Sequence, residues 1–153
     1  MIKIKALTLN ELIQLEQNKA QLLYDATHLE LSSHVLKAVR MKIEKMMELS
    51  EVLHNYYTYW LILEENTAIG MIGFKGIVDG ICEVGYGIHQ SFEGKGHTTQ
   101  ALSQLILWSK ENDIQRVTAH VLSADNIGSI RILEKNGFTL DRKDDGVYYR
   151  LDL

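Results

Sequence analysis

The sequence predicts an α/β (α+β) sandwich, with a mixed, mostly antiparallel central sheet and helices on both faces. Three observations carry this. Three extended segments follow one another with turns between them, so the early strands pair antiparallel. A strand, a glycine-rich turn, an amphipathic helix and a further strand then make a parallel crossover. Two extended runs flanking Asp144-Asp145-Gly146 close the chain as a hairpin. This order is not that of a doubly wound dinucleotide-binding sheet.

Residues 1–7 alternate as a first strand, Met1-Ile2-Lys3-Ile4-Lys5 at its head. Thr8 caps a helix over about residues 9–18, and Glu11, three residues on, completes a capping box. Leu12, Ile13 and Leu15 stripe that helix. A second helix begins near Ser32-Ser33 and runs to about Leu49, with Val35, Leu36, Val39, Ile43, Met46 and Met47 at helical spacing. A methionine-bearing stripe of this kind belongs to a core. The loop over residues 24–31, together with this helix, is a candidate border for an acceptor site.

Residues 57–63 and 68–78 are extended runs joined at Glu65-Asn66-Thr67. Asp79-Gly80 signals a tight hairpin, because both positions tolerate the positive φ of a type I′ turn. The next strand covers residues 81–88. Ala101, Leu102, Leu105, Ile106 and Trp108 stripe a helix that ends near Asn112, and residues 116–122 read as a strand. A short helix over residues 127–136 closes on Gly137, suited to a left-handed C-cap. Residues 138–140 and 147–153 form the last hairpin.

The chain has 153 residues, enough to bury one core, and no repeat or linker divides it, so a single domain over residues 1–153 is expected. A net charge of −4 without a Lys/Arg stripe argues against nucleic acid as the main ligand. No stretch reaches the length of a membrane span, and the N-terminus lacks the apolar run of a signal peptide. With one cysteine, Cys82, no disulfide can form within the chain. A cytoplasmic protein is expected. His28, His34, His54, His89, His97 and His120 show no ligand spacing, so no metal is expected. The absence of proline has no functional reading.

Two segments carry chemistry. Ser91-Phe92-Glu93-Gly94-Lys95-Gly96-His97-Thr98-Thr99 follows a strand and opens a helix. Such a turn offers unpaired N–H groups and the positive end of a helix dipole to an anion. It lacks the Lys-Ser/Thr pair of a nucleotide-binding P-loop. The second segment is Asn126-Ile127-Gly128-Ser129-Ile130-Arg131-Ile132-Leu133-Glu134-Lys135-Asn136-Gly137-Phe138.

In order and spacing over about residues 68–140, the two segments resemble the GNAT superfamily of acyl-CoA-dependent N-acetyltransferases, above all its ribosomal-protein N-terminal branch. The resemblance implies transfer of an acetyl group from acetyl-CoA to a primary amine by direct attack. The amine is either a peptide α-amine or a small-molecule amine. It implies a diphosphate held by the backbone of Gly94, Lys95, Gly96, His97, Thr98 and Thr99, with Lys95, Thr98 and Thr99 able to add side-chain contacts. It implies a pantetheine arm held by Asn126. The family's acyl-CoA strand is implied to part from its neighbour, leaving pantetheine contacts at Ile88, His89 and Gln90.

The sequence departs from the family pattern in two places. Glu93 stands where a Gln or Arg is usual, and Leu133 stands where many members carry a tyrosine that protonates the departing thiolate. The ribosomal branch assigns a serine to that task, which aligns with Ser129; a helix-end hydroxyl satisfying local backbone is the other reading.

Glu83 is the candidate base. A lysine amine titrates near 10.4 and an α-amine near 7.7–8.0, so the acceptor must lose a proton before attack. A carboxylate on a central strand is costly unless solvated or functional; an ion-paired, water-facing glutamate is the alternative. Gly85 and Gly87 on the same strand mark close backbone approach to a ligand. Cys82 reads as a buried strand cysteine. A non-catalytic acyl-CoA-binding sensor or scaffold on the same fold is the rival function. Monomer and homodimer are both open.

Overall fold

A computed structural model describes residues 1–17, 25, 28–29 and 31–153. One seven-stranded sheet runs in the order β1-β2-β3-β4-β5-β7-β6. Its strands are β1 (Ile2–Ala6), β2 (Tyr59–Glu64), β3 (Thr67–Phe74), β4 (Ile81–Ile88), β5 (Arg116–Val121), β6 (Thr139–Lys143) and β7 (Val147–Asp152). All neighbours are antiparallel except β4 and β5, which are parallel. The α-helices are α1 (Leu9–Glu16), α2 (Ser33–Glu48), α3 (His97–Glu111) and α4 (Ile127–Lys135).

At β2 and β3 both faces of the sheet are covered. Trp60 and Ile62 of β2 face a core shared with Leu102 and Leu105 of α3 and Leu133 of α4. Leu61 and Leu63, alternating with them, face Leu12 and Leu15 of α1 and Val39, Ile43 and Met46 of α2. The two-residue period of a strand sends successive side chains to opposite layers, so a strand buried on both sides reads as one apolar run. Thr8 caps α1 with the reciprocal Glu11 bond, as expected.

Most boundaries agree with the sequence reading within a few residues. The Asp79-Gly80 turn forms, with φ of 53° and 78° and Val78 and Ile81 bonded across it. However, β3 ends at Phe74, four residues before the turn residues' flank at Val78. A six-residue 3-10 helix, Glu51–Tyr56, precedes β2 where the sequence showed no periodic pattern. Strand β6 extends to Lys143, beyond the expected residues 138–140. Every residue of β6 is exposed, so its length left no apolar alternation to read. Gly137 has φ 87° and ends α4, with Phe138 N–H donating to the Leu133 carbonyl. Much of the loop over residues 24–31 lies outside the described residues; of the rest, Leu29 and Leu31 pack on the α1–α2 cluster.

Candidate active site

The sheet opens between β4 and β5. The two strands pair only over Ile81–Glu83 and Arg116–Thr118, while β4 continues along β3 to Ile88. From Val84 onward the β5 side of β4 therefore has no strand partner, and a cleft of about 500 Å³ lies beside it. Tyr86, Gly87 and Ile88 line one wall. Asn126, Gly128, Ser129 and Ile132 line the wall formed by α4 and its approach.

The glycine turn closes one end, with Gly94, Gly96, His97, Thr98 and Thr99 on its surface. Gly94 and Gly96 have φ of 74° and 79°, a left-handed conformation that side chains disfavour. Gly96 is the N-cap of α3 and provides no side-chain acceptor to the first turn. The first helical acceptance is the Gln100 N–H bond to the Gly96 carbonyl. The N–H groups of His97, Thr98 and Thr99 thus stand at the positive end of the α3 dipole, beside the cleft. That donor set suits a diphosphate.

The remaining expected ligand residues are placed as follows. The Lys95 ammonium sits 5.7 Å from the centre of the Phe92 ring and does not line the cleft. His89 donates its backbone N–H to the Ile69 carbonyl, and its Nδ1 accepts from Ser91, so it serves the local turn. Gln90 starts that turn outside the cleft wall. Glu93 is exposed at the rim. His97, the first residue of α3, places its Nε2 2.9 Å from Glu64 Oε2. Asn126 is the N-cap of α4: its Oδ1 accepts the Ser129 N–H at 3.2 Å, leaving the amide's NH₂ as the donor side.

Glu83 occupies the last paired position of β4, half-buried, and is bridged by the Lys75 ammonium. Cys82 and Val84 face the α3–α4 core, so Glu83, Gly85 and Gly87 face the opposite side. A Cβ added at Gly85 or Gly87 would meet nothing within 4 Å, so that side is open. Cys82 is fully buried, and burial pushes its thiol up to about 12, which leaves it inert.

Sequence reasoning missed three features. The Tyr86 hydroxyl lies 3.1 Å from Ser129 Oγ and 3.2 Å from the Ser129 carbonyl oxygen. Its two flanking glycines were the only local signal. On the face shared with Glu83, His120 of β5 stacks on Tyr148 of β7 at 4.1 Å, and the Arg142 guanidinium lies 4.1 Å from the same ring. Lys42 of α2 reaches the carbonyls of Phe74 (2.7 Å) and Tyr57 (3.0 Å). Burial, helped by the nearby Lys75 charge, pushes the Lys42 ammonium down to about 8.

Comparison with known proteins fits this geometry. The family described as the acetyltransferase (GNAT) domain matches residues 7–139. The chain belongs to the GNAT acetyltransferase family. An uncharacterized N-acetyltransferase, YjdG, of Bacillus subtilis (strain 168) is 35% identical over 89 residues, covering 55% of this chain and 52% of that protein. The ribosomal-protein-serine acetyltransferase of Escherichia coli (strain K12) is 29% identical over 102 residues, covering 63% of this chain and 56% of that protein. The chain therefore spans little more than half the length of these curated relatives.

Among solved structures, RimL, a ribosomal L7/L12 alpha-N-protein acetyltransferase in complex with coenzyme A, superposes with a TM-score of 0.71 at 22% identity. That match covers 99% of this chain and 94% of RimL, and at this identity it speaks for the GNAT fold. Among the described residues no helix is long and apolar enough to cross a membrane, and no cluster of three His, Cys, Asp or Glu is placed to hold a metal.

Proposed function

We infer that this chain is an acetyl-CoA-dependent N-acetyltransferase that acts on a primary amine by direct attack. One observation carries the reading: the cleft at the parting of β4 and β5 ends on the uncapped first turn of α3. The diphosphate binds the N–H groups of the turn from Gly94 to Thr99, and the pantetheine arm runs along the vacated edge of β4 toward the parting. Asn126 donates its amide N–H to that arm. In-sheet pairing supplies polar partners without ordering a loop, which keeps the entropic cost of binding low.

The amine enters on the open face of β4, past Gly85 and Gly87, where Glu83 takes its proton directly or through one water. Its nitrogen attacks the thioester carbon, the C–S bond breaks, and CoA leaves as the thiolate beside Ser129. Both peptide α-amines and small-molecule amines fit an opening of this kind. The relative named as a ribosomal-protein-serine acetyltransferase favours a protein acceptor. The 153 residues act as one catalytic domain in the cytoplasm.

The test is incubation with labelled acetyl-CoA and a panel holding Ser- and Ala-initiated peptides, a polyamine and an aminoglycoside. Transfer of label to one class supports the reading. CoA binding without any acetylated product overturns it in favour of a sensor or scaffold.

A further inference from the structure

The departing sulfur needs a proton, and Leu133 is fully buried and has none to give. A phenol nevertheless reaches the cleft from the opposite wall. Tyr86 stands three residues beyond Glu83, in the part of β4 that β5 has left. Its ring packs against the α3–α4 core, and its hydroxyl meets Ser129 on the first turn of α4. The Ser129 carbonyl can only accept, so the phenol has an acceptor there and the serine hydroxyl is able to donate to Oη in turn.

With the diphosphate at Gly94–Thr99, the far end of the cofactor lies toward the parting of the strands, next to this pair.

We propose that Tyr86 is a catalytic residue that protonates the CoA thiolate as the amine displaces it, with Ser129 as the positioning residue that orients its hydroxyl. This deepens the acetyltransferase reading and rests on it. The N–C bond forms as the C–S bond breaks, and the electron pair leaves on sulfur. The Oη proton then passes to sulfur, and the phenolate is reprotonated by solvent. Burial raises the phenol above its ordinary value, against the opposing effect of the Ser129 hydrogen bond, so it stays protonated through the neutral range. The acid thus comes from the sheet and not from the helix position that Leu133 fills.

The experiment needs no acceptor. The thiol of bound CoA is titrated by thiolate absorbance, with the desulfo-CoA complex subtracted, in the wild-type protein and in Tyr86→Phe. Loss of a hydrogen bond to a charged sulfur should raise the bound thiol's pKa by about one unit or more. In parallel kcat should fall about tenfold, below the usual range for general acids because a thiolate leaves readily, with KM for acetyl-CoA within about twofold. Adding Ser129→Ala to Tyr86→Phe should cost nothing more.

An unchanged thiol pKa in a Tyr86→Phe protein that still binds CoA overturns the assignment. Where Tyr86→Phe loses CoA binding, Ser129→Ala, which leaves the ring in place, undergoes the same titration. A shift in the same direction supports the pair, and none overturns it. Failure of the underlying reading looks different: the wild-type protein binds CoA but acetylates no amine, and the catalytic role of Tyr86 falls with it.

Discussion

Replacing Gly96 with valine separates the cost of a strained turn from the loss of a ligand contact. Gly96 has φ 79°, and a Cβ built there meets nothing within 4 Å. The free protein therefore suffers no collision, only the left-handed penalty of ~1–2 kcal/mol. For a domain of this size that lowers Tm by ~2–8 °C. Binding should suffer much more. The added side chain stands over the N–H groups that would reach the diphosphate, and each hydrogen bond to a charged group contributes ~1.5–3 kcal/mol. Losing one weakens Kd by ~10–100-fold, and losing two abolishes binding at micromolar CoA. Calorimetric titration with CoA, alongside thermal melts, measures both quantities on the same sample. A folded Gly96→Val protein with wild-type affinity refutes the backbone-cradle argument. A Tm loss far beyond this range would contradict the open space around Gly96.

Glu83→Gln should lower kcat by ~10²–10⁴-fold with the deficit shrinking as pH rises and more amine is neutral, while Tm barely moves because the Lys75 pair is half-exposed; an unchanged rate at neutral pH moves the base elsewhere. Asn126→Asp keeps the α4 cap but removes the amide donors, so melts should match wild type while acetyl-CoA affinity drops, whereas Asn126→Ala should also lose ~1 kcal/mol of stability. Equal affinity in wild type and Asn126→Asp would reduce Asn126 to a cap. Lys42 titrates near 8 when folded against 10.5 in its ordinary state, so between these values the unfolded chain binds more protons and stability rises with pH, by at most ~3 kcal/mol. Denaturant melts from pH 8 to 10.5 should show that rise, and Lys42→Met should flatten it.

The parts of the site legible in the sequence are those written in local residues. The glycine turn and the Gly137 stop each depend on neighbours within a few positions, and each stands where its residues predict. The hairpin at Asp79-Gly80 is legible for the same reason. What was missed depends on register. Tyr86 and Ser129 are 43 positions apart, and their contact follows from the placement of the first turn of α4 across the cleft from β4. The His120–Tyr148 stack needs the β5–β7 register, and the Lys75 bridge to Glu83 needs that of β3 and β4. Gly70 is a similar case: a Cβ there would lie 2.3 Å from the Gly87 carbonyl oxygen, so this glycine lets β3 press against the strand that walls the cleft.

Strand β4 explains how one short segment can serve both halves of the proposed reaction. Its side chains point to alternate faces from Cys82 to Ile88, and the glycines fall at two of the three positions on one face. Among the residues of β4 on that face Glu83 is the one with a titratable group, and the space above Gly85 and Gly87 beside it is open. On the other face Tyr86 reaches α4. The proposed base for the amine and the proposed acid for the sulfur would thereby stand on opposite sides of the same backbone, where they cannot neutralise each other by direct contact. On that proposal the thioester lies in the plane of the sheet, at the edge of β4 left vacant by β5. Closing that edge by extending the β4–β5 ladder past Glu83 would remove the place where the two groups act on one bond. On this proposal the parting of the strands belongs to the catalytic apparatus as much as either side chain.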